Sequence, residues 1–437
     1  KPAELEYALR QSGVSLLILA RQFRQSDYVA MLAEVRDRCP ELREALVLED
    51  DWSELLAAGD RVEVDETELA AREATLEFDD PVNIQYTSGT TGAPKGATLS
   101  HHNLLNNAFF TTEQMSFTEE DRLCAPVPLY HTFGCVLAVL GCSTHGACLV
   151  LPSETFEPLA VLEAIATERC TALYGVPTMF IMELEHARFE EFDLSSLRTG
   201  AMGGAPCPLE VMKQVQDRMH MREVTIACGM TETGPLSTQT SPDDPLDKRV
   251  GTVGRVHPHV EIKIVDPNTG QVVPRGTPGE QCTRGYNVML GYWDNPEATH
   301  RAIDSARWMH TGDLATMDDE GYVKIVGRIK DMLIRGGENI YPREIEEFLH
   351  THPAVADVQV IGVPDERYGE EVMAWVRLRE GAVVSESELQ AFCRGKIATY
   401  KIPRYWKFVS EFPMTVTGKI QKFRMREQAV AELRLAA

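Results

Sequence analysis

The sequence predicts an α/β protein in several parts, on three observations. Amphipathic helical patterns alternate with apolar strands, as in residues 4–20 and again at Val161 to Ala166 followed by "TALYGV" (171–176); such alternation belongs to helices packed on a sheet. From Glu261 the texture changes to short strands and Gly/Pro turns ("DPNTGQVVPRGTPGE"), which predicts a small β-rich subdomain. From "GRIKDMLIRGGENIYPREIEEFL" (327–349) onward a compact α+β tail follows. At 437 residues the chain is too long for one ordinary core, and 43% apolar with 25% charged residues makes it globular throughout.

Residues 4–20 read as a helix followed by a short buried strand. The stretch from Glu49 to Asp80 is acidic and weakly periodic, a solvated connection leading to the strand "VNIQYT" (82–87). "LSHHNLLNNAFF" (99–110) reads as a helix capped by Ser100. The most apolar run, Cys135 to Leu151, is broken by Ser143, Thr144, His145 and Gly146; it falls short of a membrane span and predicts two buried elements joined by a turn. In the tail, Pro342 opens a helix with Glu344, Glu346 and Glu347 behind it, and Ser385 with Glu388 forms a capping box. Arg394, Lys396, Lys401, Arg404, Lys407, Lys419, Lys422, Arg424 and Arg426 make the end basic, either a concentrated cation for phosphate or a solvated helix face.

A net charge of −23 excludes unspecific binding to nucleic acid or anionic membrane, because the long-range field repels polyanions. Ten cysteines without a C-x-x-C pair or zinc-type His spacing point to neither a disulfide framework nor a structural metal. Reduced thiols fit a cytoplasmic setting, or the mitochondrial matrix if a targeting segment precedes Lys1, where the opening pattern reads like the middle of a chain. The oligomeric state is left open, a homo-oligomer included.

Residues 86–96, "YTSGTTGAPKG", hold three glycines, four Ser or Thr residues and Lys95. Gly89, Gly92 and Gly96 let successive N–H groups converge on an anion, Thr87, Ser88, Thr90 and Thr91 add hydroxyl donors, and Lys95 adds a point charge. The stretch is not a Walker A loop, since Lys95 follows Pro94 and precedes Gly96. Taken alone, such a run is more often a flexible linker than a phosphate cradle.

Further stretches in order reverse that balance: "PLYHTFG" (128–134), "GGAP" (203–206), "ACGMTETG" (227–234), "GYWDNPEAT" (291–299), "HTGDLA" (310–315), "GRIKDMLIRGGENIYPREIE" (327–346) and "VTGKIQK" (416–422). With residues 86–96 they resemble the adenylate-forming superfamily of acyl-CoA synthetases, adenylation domains and luciferases. "NIYPREIEEFLHTHPAV" (339–355) and "GKIATYKIPRY" (395–405) are most similar to medium-chain fatty acyl-CoA synthetases. The resemblance implies an N-terminal domain of layered α/β subdomains over 1–327, incomplete upstream, a hinge at 328–330, and a small mobile C-terminal domain over 331–437.

The resemblance also implies roles. Residues 87–92 with Lys95 would hold the β- and γ-phosphates of ATP. Glu232, helped by Thr87, would ligate Mg²⁺, a hard cation that prefers oxygen. Asp313 would accept hydrogen bonds from both ribose hydroxyls, and Arg328 would reach the same sugar. Gly203, Gly204 and Ala205 would form a flat wall beside the adenine, and Cys228, Gly229, Met230 and Thr231 would also line the nucleotide; Cys228 stands where the family often has an aromatic residue stacking on the base. His131 either lines the acyl tunnel near the carboxylate or packs in the core. No Asp occurs from Pro128 to Gly141, so the acid should lack an α-amino group. Lys419 would bridge the substrate carboxylate and the α-phosphate. Gly337 would leave room for pantetheine, with Arg335 and the basic tail near the phosphates of coenzyme A.

The implied reaction has two halves: a fatty acid and MgATP give acyl-AMP and pyrophosphate, then the thiol of coenzyme A displaces AMP. Two readings compete with it, an acyl-adenylating enzyme serving a carrier-protein thiol and an inactive nucleotide-binding relative.

Overall fold

The computed structural model describes residues 1–62, 65–87, 94–205, 207–414 and 420–433. They form two compact units, one of residues 1–101 with 290–299 and the other of 102–289 with 300–437.

In the first unit, helix Pro2–Ser12 and helix Tyr28–Val35 share an apolar cluster of Leu9, Leu32, Val35, Cys39 and Leu42. Strand Leu16–Leu19 follows the first helix as expected and pairs in parallel with Glu44–Val47. It is not fully buried, however: Leu16 and Ile18 remain about half exposed, because a two-stranded sheet has only one face to pack. The acidic stretch is likewise more regular than a solvated connection. It carries helices Leu48–Gly59 and Glu66–Glu73, neither of which buries a residue. Their support is local: Glu49, Asp50 and Asp51 sit in one first turn, and Asp65 accepts from the Thr67 and Glu68 amides in the other. Strand Pro81–Thr87 then pairs antiparallel with Lys95–Ser100, whose other edge takes Gly291–Tyr292.

The second unit is built on a seven-stranded sheet. In spatial order its strands are Arg255–Val256, Leu236–Gln239, Glu223–Gly229, Thr199–Gly203, Ala172–Gly175, Arg122–Cys124 and Cys148–Val150. The five from Glu223–Gly229 onward are parallel, which requires crossover connections. Helices Pro158–Glu168, Pro177–Leu184 and Leu209–Arg218 supply Val161, Ile165, Phe180, Met212 and Val215 to the main core, against Leu173, Met202 and Val224 of the strands. The apolar run 135–151 forms two elements joined by a turn, as expected, but only the first is well buried: a π-helical stretch Phe133–Leu140 continues into helix Gly141–His145, stops at Gly146, and returns as the half-buried strand Cys148–Val150.

The predicted β-rich part is a four-stranded antiparallel sheet of Val260–Val265, Gly279–Gly285, Met309–Met317 and Val323–Arg328. The tail is α+β. A five-stranded sheet, centred on Val355–Asp365 and Gly369–Leu378, packs against helices Pro342–His350 and Glu386–Cys393 through Leu333, Ile345, Leu349, Val360 and Leu389. The capping box forms: the Glu388 amide donates to Ser385 Oγ at 3.3 Å, and the Ser385 amide to Glu388 Oε2 at 2.8 Å. No helix of the described residues is long and apolar enough to cross a membrane.

Candidate active site

Open α/β sheets bind ligands beyond the carboxyl ends of their parallel strands. Two of the singled-out stretches lie there. Gly203 ends Thr199–Gly203 and Cys228 and Gly229 end the neighbouring Glu223–Gly229. Gly203 is buried with its α-carbon facing the Ala227 carbonyl, where a Cβ would come within 2.6 Å of the oxygen. Gly204, Ala205 and Gly229 are exposed. The result is a backbone surface with little side chain on it, which fits a flat ring.

After Gly229 the chain turns sharply. The Met230 amide donates to the Pro235 carbonyl at 2.9 Å, Thr233 Oγ1 donates to the same carbonyl at 2.8 Å, and Thr231–Thr233 makes one 3₁₀ turn. Glu232 is buried within it. The turn is held from two sides that motif reading missed. Asn107 Nδ2 donates to the Leu236 carbonyl and Asn107 Oδ1 accepts from the Leu236 amide, both at 2.9 Å. The Met289 amide donates to the Glu232 carbonyl at 2.9 Å, and Asn103 Nδ2 donates to the Val288 carbonyl at 3.1 Å. Asn103 and Asn107, one helical turn apart, share a buried face of helix His101–Glu113. The buried Glu232 carboxylate is a hard oxygen donor of the kind Mg²⁺ takes.

The adjacent antiparallel sheet brings Asp313 and Arg328 into register, and Arg328 Nε donates to Asp313 Oδ1 at 3.0 Å. The Asp313 carboxylate raises the Arg328 pKa above its ordinary value. Burial first, and then Asp313, push the Cys228 thiol up to about 12, opposed by the Arg343 and Arg328 guanidiniums. Arg343, on helix Pro342–His350 and held by Glu347 at 2.8 Å, is a further cation toward this group that sequence reading did not single out.

His131 lies at the start of the π-helical stretch. Its Nδ1 accepts from the Phe133 amide at 3.1 Å, so it serves as a local cap, while buried Phe133 stacks on Tyr174 with ring centres 5.6 Å apart. In the first unit, Thr87 pairs with Lys95 across the hairpin, and Lys95 Nζ lies 4.9 Å from the centre of the Tyr292 ring. Ser88, Gly89, Thr90, Thr91, Gly92 and Lys419 lie outside the described residues.

In the tail, Gly336 and Gly337 make the turn between Leu333–Arg335 and Glu338–Ile340. Gly337 has φ +90, with open space where a Cβ would stand. The basic end is largely committed to acids: Arg335 to buried Glu371 at 2.7 Å, Lys401 to Glu344, Lys422 to Glu346 and Arg426 to Glu370, each of the last three at 2.6 Å. Arg394, Lys396, Arg404, Arg424 and Arg426 are exposed, as a solvated face requires, while Lys401, Lys407 and Lys422 are half-buried beside their acids. Among the described residues, Arg394, Lys396 and Arg424 are the members of that group without an ion pair, and Lys396 Nζ packs 4.0 Å from the Phe392 ring centre.

The AMP-binding enzyme family matches residues 1–293, and the AMP-binding enzyme C-terminal domain matches residues 344–419. Among curated relatives, the chain is 49% identical to a putative acyl-CoA synthetase, YngI, of Bacillus subtilis, covering 99% of this chain and 82% of that one. It is 44% identical to the bovine mitochondrial medium-chain acyl-CoA ligase ACSF2, covering 99% and 74% respectively. Among solved structures, the anthranilate CoA ligase AuaEII in complex with anthranoyl-AMP superposes with TM-score 0.85 at 30% identity, covering 100% of this chain and 82% of that one. ATP-bound MatB from Rhodopseudomonas palustris gives 0.82 at 31% identity, covering 98% and 82%. The chain belongs to the AMP-binding enzyme family and, within it, to the acyl-CoA synthetases.

Proposed function

We propose that this acyl-CoA synthetase activates a medium-chain fatty acid as its acyl-AMP, releasing pyrophosphate, and passes the acyl group to coenzyme A. The observation that carries the nucleotide half is the grouping of Cys228, Asp313 and Arg328 beside the bare backbone of Gly204, Ala205 and Gly229. In this reading Asp313 takes the ribose hydroxyls while Arg328 fixes the orientation of its carboxylate. Glu232 holds Mg²⁺, which would offset phosphate charge. Thr87 to Gly92 with Lys95 bind the outgoing phosphates, and Lys419 meets the substrate carboxylate at the α-phosphate.

The acid is proposed from the apolar Phe133–Tyr174 wall beside His131 and the missing acidic partner for an ammonium group. The name of the bovine relative supports the chain-length class. Residues 1–327, 328–330 and 331–437 are proposed as the adenylating domain, hinge and C-terminal domain.

Pyrophosphate exchange against a panel of C4 to C18 acids tests the first half-reaction, with a maximum at intermediate length expected. A maximum at short dicarboxylic or aromatic acids would remove the fatty-acid assignment. AMP release measured with coenzyme A and with a phosphopantetheinylated carrier protein tests the second; stimulation by the carrier alone would reverse it.

A further inference from the structure

Three side chains behind the ribose-side residues converge on one point. Glu280, Cys282 and His310 each offer a donor atom, and these atoms all lie within 4.8 Å of one another. His310 Nδ1 stands 3.5 Å from Cys282 Sγ and 2.8 Å from Glu280 Oε2. Spacing along the chain hides the group, because His310 lies 28 residues beyond Cys282. Strand pairing makes it: Cys282 and His310 are cross-strand partners, and Glu280 is two residues before Cys282 on the same strand.

We propose that Glu280, Cys282 and His310 form a site for a Zn²⁺-class divalent ion. The donor set is one carboxylate, one thiolate and one imidazole, the mixture that borderline-soft tetrahedral ions take. Two such ligands on a tetrahedral ion stand roughly 3.5 Å apart, which the sulfur–nitrogen pair already meets, and the Glu280 oxygen needs to open by roughly half an ångström. Glu280 Oε1 is fixed independently, accepting from the Gly312 amide at 3.1 Å, so Oε2 is the atom turned to the ion.

On the far side of the imidazole, Asp304 Oδ2 is 4.0 Å from His310 Nε2. A carboxylate behind a ligating histidine is the usual outer partner that fixes its tautomer. Asp304 is itself anchored, its Oδ1 accepting from the Ala306 and Trp308 amides at 2.9 Å.

Binding balances simply. With Glu280 as its partner, His310 carries its proton on Nδ1; the ion takes Nδ1 and the proton moves to Nε2, toward Asp304. Cys282 enters as a thiol, and its proton is released to water as the metal–sulfur bond forms. One ion thus ties strand Gly279–Gly285 to the segment that carries Asp313.

The test uses the purified, reduced, metal-stripped full chain titrated with Co²⁺ and then Zn²⁺. One equivalent of Co²⁺ is expected, with a thiolate-to-cobalt absorption band that Zn²⁺ abolishes. Cys282→Ser should lose the band, and Asp304→Asn should weaken Zn²⁺ binding by roughly 10-fold. Cys393→Ser, in the buried core of the tail, should change nothing. Glu280→Gln, which can still accept from Gly312, keeps the thiolate band but weakens binding, and it decides the matter if Cys282→Ser does not fold. Absence of the band, its persistence in Cys282→Ser, or unaltered Zn²⁺ affinity in Glu280→Gln would overturn the site. Zn²⁺ should also raise the melting temperature of the wild type in a concentration-dependent way.

Discussion

Arg328 Nε donates to Asp313 Oδ1 at 3.0 Å across directly paired strands, so the sheet itself brings the guanidinium to that carboxylate oxygen. This makes Arg328 a positioning residue for Asp313, and it ties the "HTGD" and "GRIKD" stretches, 15 residues apart in sequence, into one unit.

Asp313→Ala should therefore raise KM for ATP strongly. Hydrogen bonds to a charged group contribute about 1.5–3 kcal/mol, or roughly 10- to 150-fold in kcat/KM for pyrophosphate exchange. Arg328→Lys should cost less, since a point charge still meets the carboxylate but loses the planar guanidinium geometry. A double-mutant cycle should show coupling between the two positions. Additive losses would mean that Arg328 does not act through Asp313.

Gly229→Ala should disable adenylation by displacing the Glu232 turn. A Cβ at residue 229 would lie 2.0 Å from the Pro235 carbonyl oxygen, the same atom that accepts from Met230 and Thr233. Because the obstacle is backbone, relief requires moving the turn, with an overpacking cost of about 1–3 kcal/mol. Thermal unfolding should show a lowered midpoint, and pyrophosphate exchange should fall well beyond what the loss of folded enzyme explains. Wild-type exchange in a folded Gly229→Ala protein would separate the turn from catalysis.

Much of this was legible in sequence, and the boundary is physical. The alternation of helices and strands, the β-rich part and the two tail helices Pro342–His350 and Glu386–Cys393 follow from periodicity and caps, which are local, whereas the third tail helix, Lys422–Leu433, was not read. The exposed helices Leu48–Gly59 and Glu66–Glu73 were missed because their stability rests on dipole and cap terms, not on an apolar face. The basic tail misled because net charge in a window does not show the partner: Lys422 looks like loose cation until Glu346, 76 residues away, is placed beside it. Asp313 and Glu232 were found as motif members, while Asn107, Arg343 and the Glu280–Cys282–His310 group depend on long-range pairing that no short pattern carries.

Gly337 and Lys419 should separate the half-reactions. Gly337 has φ +90, a conformation that costs an L-residue on the order of 1 kcal/mol, yet a Cβ there meets nothing within 4 Å. Gly337→Ala should thus fold with slightly lowered stability, and Gly337→Leu should impair thioester formation from supplied acyl-AMP while sparing pyrophosphate exchange. Lys419→Ala should do the reverse. If Gly337→Leu lowers both half-reactions equally, the glycine serves the turn alone.

His257 should set part of the acid limit of stability. It is buried, its Nε2 donates to Gln239 Oε1 at 3.1 Å, and burial pulls its pKa down to about 4. The unfolded chain, with a histidine near 6.5, binds the proton more readily than the folded protein between these values. The favourable state is therefore complete above about pH 6.5 and is lost as pH falls toward 4, by about 1.4 kcal/mol per pH unit from this group. Urea unfolding across that window should show the slope, and His257→Gln, which can still donate to Gln239 but does not titrate, should reduce it by one proton. An unchanged slope in that variant would assign the acid sensitivity to other groups.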